Sequence, residues 1–106
     1  MSSETIEISV TYATKQDALI AARSLVEKML AACVHIEGPL TSVYRWKDEI
    51  AEETEWQLTA KTRVALEKEV ITHLQQSHPY DLPVILTHTT QTSDDVAAWI
   101  AAETKP

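Results

Sequence analysis

A single glycine and a single cysteine among 106 residues exclude several function classes at once. Walker loops and G-x-G-x-x-G turns each need several glycines, so Gly38 alone leaves no phosphate cradle for a nucleotide cofactor. Cys33 alone excludes an internal disulfide and a cysteine-rich zinc cluster. Long apolar runs are also missing. The longest, Met29–Val34, falls far short of the roughly 20 residues that cross a bilayer. Positive charge is scarce: 9 Lys+Arg stand against 16 Asp+Glu, a net charge of −7. That balance argues against a nucleic-acid-binding face, which needs clustered Lys and Arg. The opening Met-Ser-Ser-Glu-Thr has no basic region followed by an apolar stretch, so the expectation is a cytoplasmic protein with no membrane partner. The length suits one domain over 1–106.

The apolar pattern orders the elements. Thr5 to Tyr12 alternates polar and apolar residues, the period of a half-buried strand. Thr14 reads as an N-cap with Asp17 three residues on. Ala18, Leu19, Ala22, Leu25, Val26, Met29 and Leu30 predict an amphipathic helix from Lys15 to Ala32. Cys33–Ile36 is extended, Gly38-Pro39 interrupts it, and Leu40–Trp46 resumes. A charged turn over 47–53 then leads to a strand from Glu55 to Thr62, which makes a long β-hairpin. Ala65, Leu66, Val70, Ile71 and Leu74 form a second helical stripe that ends near His78-Pro79. A strand over Val84–Thr90 follows, and Ser93 caps a C-terminal helix with Val96, Trp99 and Ile100 inward. The order βαββαβ plus a helix is that of an α+β, ferredoxin-like sandwich. Trp46 and Trp56 on the long hairpin would be poorly covered in one chain, which points to self-association.

Few residues carry chemistry in an obvious pattern. His35, His73, His78 and His88 form no H-E-x-x-H, although a symmetric oligomer can assemble a site from one imidazole per chain. Cys33, after Ala31-Ala32 at the expected helix end, reads as a small buried apolar residue. Asp48, Glu49, Glu52, Glu53 and Glu55 crowd the hairpin turn and read as a solvated tip. Lys61, on a strand amid Leu58, Thr59 and Ala60, would clamp a carboxylate or a bound anion. In His78-Pro79-Tyr80-Asp81-Leu82-Pro83, two prolines stiffen the loop and make His78, Tyr80 and Asp81 candidates for lining a cleft. No nucleophile–base pair or cofactor motif is present, so an enzyme is not expected and no organic cofactor is implied.

Several of these segments resemble the divalent-cation tolerance family CutA. They are Ala31-Ala32-Cys33-Val34, Thr41 to Trp46, Glu55 with Leu58 and Lys61-Thr62, His78 to Pro83, and Trp99-Ile100. The resemblance implies a homotrimer similar in architecture to PII signalling proteins, and a link to copper and other divalent cations. It also implies inter-subunit clefts lined by Cys33, Trp46, Glu55, Lys61, His78 and Tyr80. His78 is then the expected metal ligand, helped by Asp81 or Glu55. A PII-like module whose clefts take a small anion or a partner loop, with Lys61 as the contact, is the second reading. Three positions depart from the family pattern. Lys47-Asp48-Glu49-Ile50 replaces x-Gly-Lys-Ile, Pro83-Val84 replaces Pro-Glu, and Thr11-Tyr12 stands where some members carry a thiol.

Overall fold

The computed structural model describes residues 2–106. In chain order the elements are β1 (Ser2–Tyr12), α1 (Lys15–Glu27), β2 (Cys33–Trp46) and β3 (Glu49–Thr62). After these come a 3-10 turn (Val64–Leu66), α2 (Glu67–Ser77), β4 (Leu86–Ser93) and α3 (Asp94–Ala102). The strands form one antiparallel sheet in the order β2-β3-β1-β4, the ferredoxin-like arrangement expected from the element order.

The core follows from alternation. Ile6, Ile8, Val10 and Tyr12 of β1 and Leu58 and Ala60 of β3 are buried with Ala18 and Leu25 of α1 and Val70 and Leu74 of α2. Each fully buried large aliphatic side chain contributes about 1.5–3 kcal/mol, so this one face supplies most of the driving force. The other face carries the odd-numbered residues of β1 and β3, including Glu7, Ser9, Thr11, Glu55, Thr59 and Lys61.

Several boundaries differ from expectation for local physical reasons. Helix α1 stops at Glu27 rather than Ala32, because Met29 adopts φ 58°. The Leu30 amide then bonds to Leu25 O at 2.9 Å and the Met29 amide to Val26 O at 3.0 Å, a Schellman closure built without glycine. The hairpin turn is two residues, not seven: Lys47 and Asp48 both have positive φ, 49° and 67°. This is the primed geometry that matches strand twist, so Glu49, Glu52 and Glu53 lie on β3 rather than in a loop. Strand β4 begins at Leu86, not Val84, and runs on to Ser93. Its ladder starts at the Ser9↔Leu86 pair because the Thr11 carbonyl is taken by His78. In α3 only Ile100 of the expected inward trio is buried. Val96 and Trp99 are 43% and 48% exposed, since a nine-residue helix buries one narrow stripe.

One irregularity decides what the hairpin presents. Between Glu37 and Leu40 the β2–β3 register shifts. Before the shift, Val34 and Ile36 oppose Ala60 and Leu58 on the helix-covered face. After it, Leu40, Ser42, Tyr44 and Trp46 oppose Glu55, Glu53, Ala51 and Glu49 on the other face. Pairing of β1 with β3 ends at Tyr12↔Trp56, so 40–46 and 49–55 project as a two-stranded ribbon. Trp56 is not left bare as expected, since it is half-buried against the core with the Lys15 ammonium 5.6 Å from its ring centroid. It also explains the single glycine: a Cβ at Gly38 would sit 2.6 Å from Trp56 Cε3.

Candidate functional site

At the foot of the ribbon, the rigid loop after α2 folds over the end of β1. The amide of Tyr80 donates to His78 Nδ1 at 3.0 Å, which places the ring proton on Nε2. Nε2 donates that proton to the main-chain carbonyl of Thr11 at 2.8 Å. The buried imidazole also stacks on Tyr12, with centroids 4.2 Å apart and planes at 19°, and lies 4.7 Å from the Tyr80 ring. Burial pushes the pKa of His78 below its ordinary value, against the opposing pull of the Thr11 carbonyl, Asp17 and Glu55. The ring is therefore neutral in the folded chain near neutral pH.

Held in this way, Tyr80 reaches Glu55. Its hydroxyl donates to Glu55 Oε2 at 2.7 Å, and the Thr11 hydroxyl donates to the same oxygen at 3.0 Å. Glu55 is only 8% exposed. Burial raises its pKa, but the hydroxyls of Tyr80, Ser42 and Thr11 outweigh burial and hold the carboxyl below its ordinary range. The pKa of Tyr80 is pushed far up, first by burial and then by the carboxylate it serves. Three segments thus converge to keep one buried carboxylate ionised through neutral donors.

The other residues singled out in the sequence lie elsewhere. Lys61 Nζ is 3.2 Å from Glu7, and Glu7 is also 3.2 Å from His88 Nε2. Burial raises the Glu7 pKa, and Lys61 and His88 overcome it, so the net shift is downward. Cys33, Lys61, Glu7 and His88 form one row across all four strands. Trp46, 46% exposed, sits beside the ribbon tip opposite Glu49. Lys61, Glu55 and Glu49 share one face of β3 at six-residue intervals, which at about 3.3 Å per residue separates them by roughly 20 Å each. One chain therefore brings Glu55, Tyr80 and His78 together and keeps Cys33, Lys61 and Trp46 apart from them.

This geometry constrains one expectation and corrects another. His78 has both ring nitrogens engaged within the chain, so a metal bound there must displace the Thr11 or Tyr80 bond. Asp81 is exposed on the loop, and among the described residues no group of three or more His, Cys, Asp or Glu side chains is placed to hold a metal ion. Cys33 is not a buried residue at a helix end. It is the half-buried first residue of β2, with Sγ 3.7 Å from His35 Nε2. Sequence reasoning missed Glu7 altogether and assigned no partner to Thr11 or His35. Their signal was the strand alternation, which places all three on the polar face.

Comparison with known proteins places these features in a family. The family model described as CutA1 divalent ion tolerance protein matches residues 6–103. A probable divalent-cation tolerance protein cutA homolog from Encephalitozoon cuniculi is 42% identical over 78 residues, 74% of this chain and 68% of that protein. The protein CutA homolog of Danio rerio is 40% identical over 74 residues, 70% of this chain but only 49% of its own length. The crystal structure of divalent ion tolerance protein CutA1 from Ehrlichia chaffeensis matches with a TM-score of 0.90 at 34% identity, covering 100% of this chain and 99% of that one. The fold and these matches agree: the chain belongs to the CutA1 divalent-ion-tolerance family.

Proposed function

We propose that the chain works as a homotrimer in the cytoplasm and takes a divalent cation, copper or another, as cargo in the clefts between subunits. It acts by binding rather than by turnover. The observation that carries this reading is Glu55, a carboxylate 8% exposed and held ionised by the Tyr80 and Thr11 hydroxyls, with no cation among these partners. A buried negative charge with only neutral partners attracts a hard or borderline cation, and oxygen donors suit one.

Assembly supplies what one chain leaves incomplete. The ribbon presents Val43, Tyr44, Trp46 and Ile50 to solvent, Ile50 being 71% exposed. A two-stranded ribbon with open edges and bare apolar groups is stabilised by a second copy. The chain is also extended, with a radius of gyration of 14.5 Å where about 13 Å is usual at this length. The family residues that stand roughly 20 Å apart along β3 can meet only when contributed by different subunits. The anion-binding reading has less support, because Lys61 is already neutralised by Glu7.

Isothermal titration of Cu(II) and Zn(II) into the assembled protein tests this reading. The Glu55→Gln variant is expected to bind at least tenfold more weakly than the parent. Indistinguishable isotherms would remove Glu55 from the account. A thermal-shift screen of cations against small anions separates the cation reading from the anion reading, since a true ligand stabilises by mass action.

A further inference from the structure

The helix layer, across the sheet from its polar face, carries a cavity of its own. Asp17, Ile20 and Ser24 recur on α1 at the i, i+3, i+7 spacing of one helix face. His73 and Ser77, four apart on α2, share a face that meets it. With Tyr12 and Pro79 they line a space of about 240 Å³. Pockets for drug-sized ligands run from about 300 to 1,000 Å³, so the occupant is a smaller molecule.

The polar lining divides into groups with partners and groups without. Ser24 Oγ and His73 Nε2 hold each other at 3.0 Å, and the Ser77 hydroxyl donates to the His73 carbonyl at 2.8 Å. These groups are satisfied within the chain. Tyr12 is 2% exposed, and among the described residues its hydroxyl is buried without a hydrogen-bond partner. The half-buried Asp17 is in no ion pair among the described residues. Burial, and then the Asp17 carboxylate, push the Tyr12 pKa up to about 12, so the two groups stand close enough to interact and the hydroxyl keeps its proton.

We propose that this cavity binds a small aliphatic primary amine as its ammonium ion. An ammonium group matches the charge of Asp17 and carries three N–H donors. One donates to an Asp17 oxygen and another to the Tyr12 hydroxyl oxygen. The alkyl chain lies against Ile20 and Pro79, both exposed on the helix side. Those apolar walls offer a bare metal ion no oxygen to coordinate, and Asp17 repels an anion, so an organic cation is the class selected. The inference does not rest on the proposed function. Every lining residue comes from one chain and the cavity opens on the helix layer, whereas the ribbon and the polar sheet face are the surfaces proposed to associate.

Butylammonium titrated into the isotope-labelled protein tests the cavity by NMR. The parent is expected to show saturable shifts at the backbone amides of Asp17, Ser24 and Ser77. Asp17→Asn is expected to weaken the midpoint at least tenfold and Tyr12→Phe at least threefold, while both variants unfold at temperatures close to the parent's. 1-Butanol, which lacks the charge, and butyrate, which reverses it, are expected to give no saturable shift. No saturation by butylammonium, equal binding of 1-butanol, or an unchanged midpoint in either variant would overturn the inference. A midpoint weakened by Glu55→Gln but not by Asp17→Asn puts the amine at the other carboxylate and overturns it too. A midpoint indifferent to Glu55→Gln sustains the cavity whatever the metal titrations at Glu55 return.

Discussion

The imidazole of His78 and the main-chain carbonyl of Thr11 lie 2.8 Å apart, and this bond fastens the loop after α2 to the last paired turn of β1. It ends the β1–β4 ladder at Ser9↔Leu86 and brings the Tyr80 hydroxyl to Glu55. Within one chain, His78 thus acts to position the loop whose Tyr80 hydroxyl meets the carboxylate at the foot of the ribbon.

Removing the Tyr80 hydroxyl tests that role. Tyr80→Phe takes from Glu55 its 2.7 Å donor while the carboxylate stays buried. Leaving a buried acceptor short of a partner costs about 1–3 kcal/mol. Urea denaturation is expected to show a loss of that size, and carboxyl-resolved NMR titration is expected to show the Glu55 pKa moving up. An unchanged midpoint together with an unchanged titration would count against the arrangement.

The pH profile of stability follows from the same groups. Burial lowers the pKa of His78 in the folded state, so between that value and its ordinary 6.5 the unfolded chain binds more protons. Its contribution is complete above 6.5 and is lost as pH falls through the depressed folded value. Glu55 and Glu7 are also lowered, from 4.5, so their contributions hold above 4.5 and are lost at more acid pH. Thermal midpoints measured from pH 8 to pH 3 are expected to be level, then to fall in two stages. His78→Gln is expected to remove the upper stage alone.

Asp48→Gly is expected to stabilise the protein. Asp48 holds φ 67° in a two-residue turn, a conformation that costs a residue with a Cβ about 1 kcal/mol and costs glycine almost nothing. Calorimetry is expected to show a thermal midpoint several degrees higher, and a lower midpoint would contradict the turn geometry.

Gly38→Ala is expected to do the opposite. The new methyl would meet Trp56 Cε3 at 2.6 Å, and the indole is packed against the core. Overpacking of this kind costs about 1–3 kcal/mol. Denaturant midpoints of the two glycine variants, measured together, are expected to move in opposite directions.

Tyr12→Phe separates packing from polarity beside His78. Tyr12 is 2% exposed, and among the described residues its hydroxyl is the buried side-chain atom without a hydrogen bond. Burial and Asp17 push its pKa up to about 12. Deleting an unsatisfied buried hydroxyl while keeping the ring is expected to be neutral or to stabilise by up to about 1 kcal/mol. A loss above that in chemical denaturation would require a partner for the hydroxyl.

Much of the fold was legible from alternation and capping. Thr14 accepts the Asp17 amide at 3.1 Å, Ser93 accepts the Val96 amide at 3.3 Å, and Ile6, Ile8 and Val10 are buried as their period requires. What stayed hidden depends on the backbone departing from local preference. Nothing in Met29 itself announces a left-handed residue, so α1 looked five residues longer than it is. Lys47-Asp48 carries no Asn-Gly signal, so a two-residue turn looked like a charged loop. The site divided along the same line. Loop stiffness marked His78 and Tyr80, but the partners that fix their roles, the Thr11 carbonyl and Glu55, come from strands 67 and 25 residues away.

The central claim is that the ribbon and its cleft residues are completed by other copies of the chain. Light scattering coupled to size-exclusion chromatography tests it most directly. The account predicts a mass three times that of the 11.9 kDa chain across a wide range of concentration. A single-chain mass at every concentration would contradict it, and with it every cleft built from two subunits.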